Sequence, residues 1–67
     1  MFRIKCSNGK YVYKTSGGRF IECTKNGKVW HSKNLVYKNL DWCEEFANTD
    51  YAISKYGELT YTIEELI

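Results

Sequence analysis

The sequence predicts a small α+β domain: an antiparallel sheet made of two Asn-Gly hairpins and a C-terminal strand, covered by one helical segment. Three observations carry this. Apolar residues alternate on both sides of Asn8-Gly9 and Asn26-Gly27, and an Asn-Gly dipeptide between alternating segments is a strong short-range hairpin signal. After Trp30 the apolar spacing lengthens to a helical period, and at Leu59 alternation resumes. The 67 residues make a single domain, 1–67, with eleven aromatic rings to compensate for a short chain.

In "FRIKC", Phe2, Ile4 and Cys6 face one way and Arg3 and Lys5 the other. A two-residue turn at Asn8-Gly9 sets Cys6 opposite Tyr11 and Ile4 opposite Tyr13 on the apolar face. Lys5 then lies beside Val12 and Arg3 beside Lys14 on the outer face. "TSGG" breaks the chain, and "RFIECT" reads as a third strand. The second Asn-Gly turn then pairs Thr24 with Val29, Cys23 with Trp30 and Glu22 with His31.

Ser32 is placed to cap a helix. Leu35, Val36, Leu40, Trp42, Cys43, Phe46 and Ala47 fall within an arc of about 160° at about 100° per residue. Asn39 interrupts that arc, and Asp41 with Glu44 resembles a capping box that could start a second helix. "NTDYAISKYGE" reads as a connection holding about one helical turn. "LTYTIEEL" should close the sheet beside the first hairpin, with Leu59, Tyr61 and Ile63 inward and glutamates facing Arg3 and Lys5.

Charge is divided along the chain. Up to residue 40, Arg3, Lys5, Lys10, Lys14, Arg19, Lys25, Lys28, Lys33 and Lys38 stand against Glu22 alone; beyond it, Lys55 stands against seven carboxylates. The two halves can pair within the fold or offer opposite faces to partners. No apolar run reaches membrane-spanning length, and "MFRIKC" lacks a secretory core, which together predict a cytoplasmic protein without a membrane partner. Three cysteines, an odd number, predict reduced thiols.

His31 opposite Glu22 could serve as an acid or base, but no nucleophile falls at a useful spacing, so the reading is non-enzymatic with no catalytic residue. Cys6, Cys23, His31 and Cys43 have the count of a zinc site without its spacing, and no metal or cofactor is expected. Arg3, Lys5, Lys10 and Lys14 on the first hairpin, near tyrosines, form a candidate nucleic-acid surface, although no recognised binding motif accompanies them. Asp41, Glu44, Glu45 and Asp50 on the polar side of the helical segment, with Tyr37 and Tyr51, form a candidate protein-binding surface, since tyrosine and charge complementarity suit docking.

The chain also resembles a loose group of small uncharacterised tailed-phage proteins. The likeness lies in "MFRIK", a glycine-containing turn, "NGKVW" leading into a helix like "KNL", and "TIEEL", about half of the chain. These positions are structural: Asn26 and Gly27 for the turn, Trp30 for the core, Leu35 and Leu40 for the helix, Ile63 for the last strand. "DWCEEFANTDYAISKYG" departs from the pattern. The resemblance implies a phage accessory protein that binds and inhibits a host bacterial protein, in host takeover or against host defence. Two alternatives stand beside it: a nucleic-acid-binding module on the basic hairpin, and a sponge for a signalling nucleotide. The sponge would need an oligomer, because a domain this small has little room for a pocket of about 300 Å³.

Overall fold

The computed structural model describes residues 1–66. Strand β1, Phe2–Cys6, and strand β2, Tyr11–Lys14, form the first hairpin, but their turn has three residues and not two. Gly9 N–H donates to the Cys6 carbonyl at 3.0 Å, Cys6 N–H to the Lys10 carbonyl at 2.8 Å, and Lys10 N–H to Asn8 Oδ1 at 2.8 Å. Gly9 takes the positive φ, +88°, that such a loop requires of its last residue. Lys5 consequently faces Tyr11, one position away from the register a two-residue turn would set.

A one-residue slip turns every side chain of a strand over. Val12, expected outside, is 0% exposed in the core, whereas Tyr13, expected inside, is 51% exposed. Tyr11 lies under Arg3. The observed register is the better solution because it buries an aliphatic side chain and leaves the tyrosine hydroxyls reachable by polar partners.

A short 3-10 turn at Ser16–Gly18 leads to β3, Glu22–Thr24, shorter than the strand predicted from "RFIECT". Tyr11 faces Thr24, Val12 faces Cys23 and Lys14 faces Glu22, with a bulge between Val12 and Lys14. The second predicted hairpin does not form. Asn26-Gly27 turns the chain, with Gly27 N–H donating to Thr24 Oγ1 at 2.8 Å, but the returning segment leaves β3. Lys28 N–H donates to the Val12 carbonyl at 2.9 Å, and Trp30 exchanges two backbone hydrogen bonds of 2.8 Å with Phe2. Strand β4 occupies the other edge of β1, so residues 28–30 enter on the β2 side. The predicted Cys23–Trp30 and Glu22–His31 pairs are therefore absent: Glu22 faces Lys14, and His31 is exposed. Burying the Trp30 ring, 6% exposed, outweighs a local ladder with β3.

Helix α1, Lys33–Ala47, begins where Ser32 Oγ accepts from Leu35 N–H at 3.3 Å. It runs unbroken through Asn39, so the break suggested by Asp41 and Glu44 does not occur. Asn39 is buried and satisfied: its Nδ2 donates to the Leu35 carbonyl at 2.8 Å, and its Oδ1 accepts from the buried Thr15 hydroxyl at 2.6 Å. The pair ties α1 to the connection between β2 and β3. The buried stripe is Val36, Asn39, Cys43 and Phe46, and Leu35, placed in the apolar arc by sequence, is 53% exposed. Helix α2, Asp50–Tyr56, has seven residues where about one turn was predicted; Thr49 Oγ1 caps it by accepting from Ala52 N–H at 3.2 Å.

Strand β4, Tyr61–Glu65, pairs with β1 as predicted, setting Arg3 opposite Glu64 and Ile4 opposite Ile63. The sheet order is β3-β2-β1-β4, antiparallel throughout, with α1 across one face. Ile4, Val12, Ile21, Trp30, Val36, Cys43, Phe46 and Ala52 form the core between them.

Two pairs of variants test this architecture by denaturant unfolding. A Cβ at Gly27 (φ +66°) would collide with Tyr11 Cβ and the Val12 carbonyl, whereas one at Gly9 meets nothing. Gly9→Ala should cost about 1–2 kcal/mol from its backbone conformation alone, and Gly27→Ala about 1–3 kcal/mol more because β2 must move. Phe46→Ala should lose about 3–5 kcal/mol, while Leu35→Ala should lose about 0.5 kcal/mol or less.

Candidate protein-binding surface

The buried stripe of α1 determines what its opposite side presents. Tyr37, Asp41, Glu44 and Glu45 lie outside the stripe, all exposed. Among the described residues the single ion pair is Arg3–Glu64, so none of these carboxylates has a cationic partner. Asp50 and Tyr51 belong to α2. Asp50 sits in its first turn, where a negative charge complements the helix dipole. Tyr51 leans edge-on against Phe46 at 6.4 Å, and its hydroxyl accepts from Lys55 Nζ at 3.1 Å. The six candidates therefore divide into a stripe on α1 and a separate pair on α2.

Between the two helices and the start of β4 lies an open cleft of about 500 Å³. Ala47, Ile53, Leu59 and Tyr61 supply its apolar lining, and Glu44 and Glu58 its negative charge. Ile53 is 52% exposed. Neither Ile53 nor Glu58 stands out in the sequence. Helix α2 buries only Ala52, which leaves no periodic stripe to mark it; its readable signal was Thr49 as an N-cap. The cleft exceeds the room expected for a pocket, yet its two carboxylates would repel a nucleotide's phosphates, which counts against a nucleotide sponge.

The basic candidates do not form one patch. Arg3 donates from Nη2 to Glu64 Oε1 at 2.8 Å and lies 3.9 Å over the Tyr11 ring, whose hydroxyl donates to the same carboxylate at 3.4 Å. The Arg3 guanidinium holds the Glu64 carboxyl below its ordinary range. Lys5 and Lys14 are exposed on the outer sheet face, Lys14 beside Tyr13 and Lys28. Lys10 instead lines a smaller cavity, about 250 Å³, with Cys6, Cys23, Phe46 and Tyr61 on the core side.

The three thiols come from β1, β3 and α1 and converge beside Tyr61. All are free. Burial pushes the Cys23 thiol up to about 11 and that of Cys43 to about 12, and raises the Tyr61 phenol as well. The Cys23 and Cys43 thiols are therefore protonated at neutral pH, the unreactive form. Among the described residues no group of His, Cys, Asp and Glu has the arrangement to hold a metal ion. No helix among them is long and apolar enough to cross a membrane.

Compared with protein-family models, with curated proteins and with solved structures, the chain matches none.

Because its folded pKa is depressed, Glu64 adds stability above its ordinary value of 4.5 and loses that contribution as pH falls through the lower folded value. The wild-type protein should therefore lose more stability than Glu64→Gln between pH 5 and the acid limit, as read from urea midpoints. Parallel curves would show that the Arg3 contact does not hold the carboxylate in solution.

Proposed function

We propose that this chain is a non-enzymatic accessory protein of the phage type, which binds a host bacterial protein and blocks it by occlusion or charge mimicry. The observation that carries the reading is the unpaired acidic flank of α1, Asp41, Glu44 and Glu45, next to an apolar cleft that Glu44 also rims. An exposed tyrosine, Tyr37, lies on the same helix and can act as an anchor. A partner needs about 800 Å² from each side, which a molecule exposing 4657 Å² can supply from one face. The split charge supports a docking role, since complementary potentials speed encounter.

A nucleic-acid-binding module is the second reading. It draws on Tyr13, exposed beside Lys14 and Lys28, where a base could stack between phosphate contacts. Against it, Arg3 is engaged by Glu64 and Tyr11, and Lys10 faces away from Lys5.

Affinity capture from bacterial lysate, with and without nuclease, separates the two. Under the inhibitor reading, one host protein is retained at stoichiometric level after nuclease and is lost with Glu44→Lys and Glu45→Lys, while Lys5→Glu and Lys14→Glu leave it bound. Retention that disappears with nuclease, depends on Lys5 and Lys14, and falls steeply with salt would overturn it.

A further inference from the structure

Strand β4 is an edge strand, and its hydrogen-bond pattern shows which groups it leaves open. Ser7 N–H donates to the Thr60 carbonyl at 2.9 Å and Leu66 N–H to the Met1 carbonyl at 2.7 Å, so the even-numbered residues of this stretch bond to β1. Antiparallel ladders alternate. The N–H and C=O groups of Tyr61, Ile63 and Glu65 therefore point away from β1, along the open edge. Their side chains share the parity of the core-facing residues, with Tyr61 and Ile63 packed against the core and Glu65 exposed.

The acidic cleft lies at this edge. It is lined by Glu44 and Ala47 of α1, Ile53 of α2, the connection 58–60 and Tyr61 at the start of β4, with no residue from β1. An added strand would extend the sheet beneath the flank of α1 that carries Glu44 and Ala47. Residues of that strand facing Tyr61 and Ile63 would meet apolar surface, and the positions beyond them would meet Glu44 and Glu58 at one end and Glu65 at the other. A second copy of the chain is a poor occupant, because it would bring another set of these carboxylates to the same seam.

Resting on the protein-binding reading above, we propose that the open edge of β4 takes up an extended segment of its partner by strand addition. The segment would have two apolar residues at alternate positions, flanked at the same spacing by basic ones. Main-chain hydrogen bonds would supply affinity and the alternate side chains specificity. This narrows the partner from any host protein with a basic face to one with an exposed basic-apolar strand or tail.

The test uses the full chain, labelled with ¹⁵N, and the capped peptide Lys-Thr-Val-Thr-Val-Thr-Lys as probe. Saturable binding is expected, with at least tenfold slower amide exchange at Tyr61, Ile63 and Glu65. Methylating both valine amides should weaken binding at least tenfold, and replacing both lysines by glutamate should abolish it. Glu44→Lys with Glu58→Lys should weaken it at least fivefold. Ile63→Pro removes an N–H that β1 does not use and should block binding; if that variant fails to fold, the methylated peptide carries the same test.

No saturation at millimolar peptide, equal affinity of the methylated peptide, or shifts confined to Tyr37 and Asp41 would each overturn strand addition. So would a concentration-dependent dimer protected at the same three amides, which would assign the edge to a second copy. The broader reading fails separately: a host protein captured equally by wild type and Ile63→Pro leaves protein binding intact and rejects this mode. Peptide binding without any captured host protein does the reverse.

Discussion

Two backbone hydrogen bonds between Phe2 and Trp30 organise much of this molecule. They draw residues 28–30 away from β3, to which an Asn-Gly turn would locally direct them, and bring them to β1 on the side facing β2. The Trp30 ring is thereby delivered to the core, and Ser32 follows immediately as the cap of α1. The helix thus starts from a tethered point and can lie across the sheet face. Gly27 is part of the same constraint, because the chain passes so close to β2 that a side chain at this position would meet Tyr11.

A second tie, between Asn39 and Thr15, works at the middle of α1. A buried amide is costly unless its groups are satisfied, and here the hydroxyl of Thr15 and the Leu35 carbonyl use both of its polar atoms. Tethered at its start and its middle, α1 turns Val36, Cys43 and Phe46 inward and leaves Asp41, Glu44 and Glu45 to solvent. The acidic surface and the core are two consequences of one helix rotation.

Electrostatics separates the two sides of the molecule further. Pairing β4 with β1 sets Glu64 against Arg3, which withdraws the most versatile cation of the basic hairpin from external partners. The carboxylates of α1 receive no such partner from the sheet. A chain of near-balanced charge therefore presents an uncompensated acidic flank, and its cleft opens beside the unpaired edge of β4.

Much of the architecture was determined by local sequence alone. The alternation in "FRIKC" and "LTYTIEEL", the Ser32 cap and the helical spacing after it are short-range signals, and each formed an element within the predicted stretch. So did the placement of β4 beside β1, where opposite charges and matching apolar faces agreed. What the tertiary structure decided were the choices among locally comparable options. Asn8-Gly9 can close a two- or three-residue loop, and only the match of Val12 to the core selects the longer one. Asn26-Gly27 can build a hairpin, and only the burial of Trp30 against β1 prevents it. The cleft of Glu44, Ile53 and Glu58 depends on a helix with a single buried residue, so it has no periodic trace. Sequence encodes spacing along the chain, but the core is shared among distant segments, and competition for it is settled only when all of them are present.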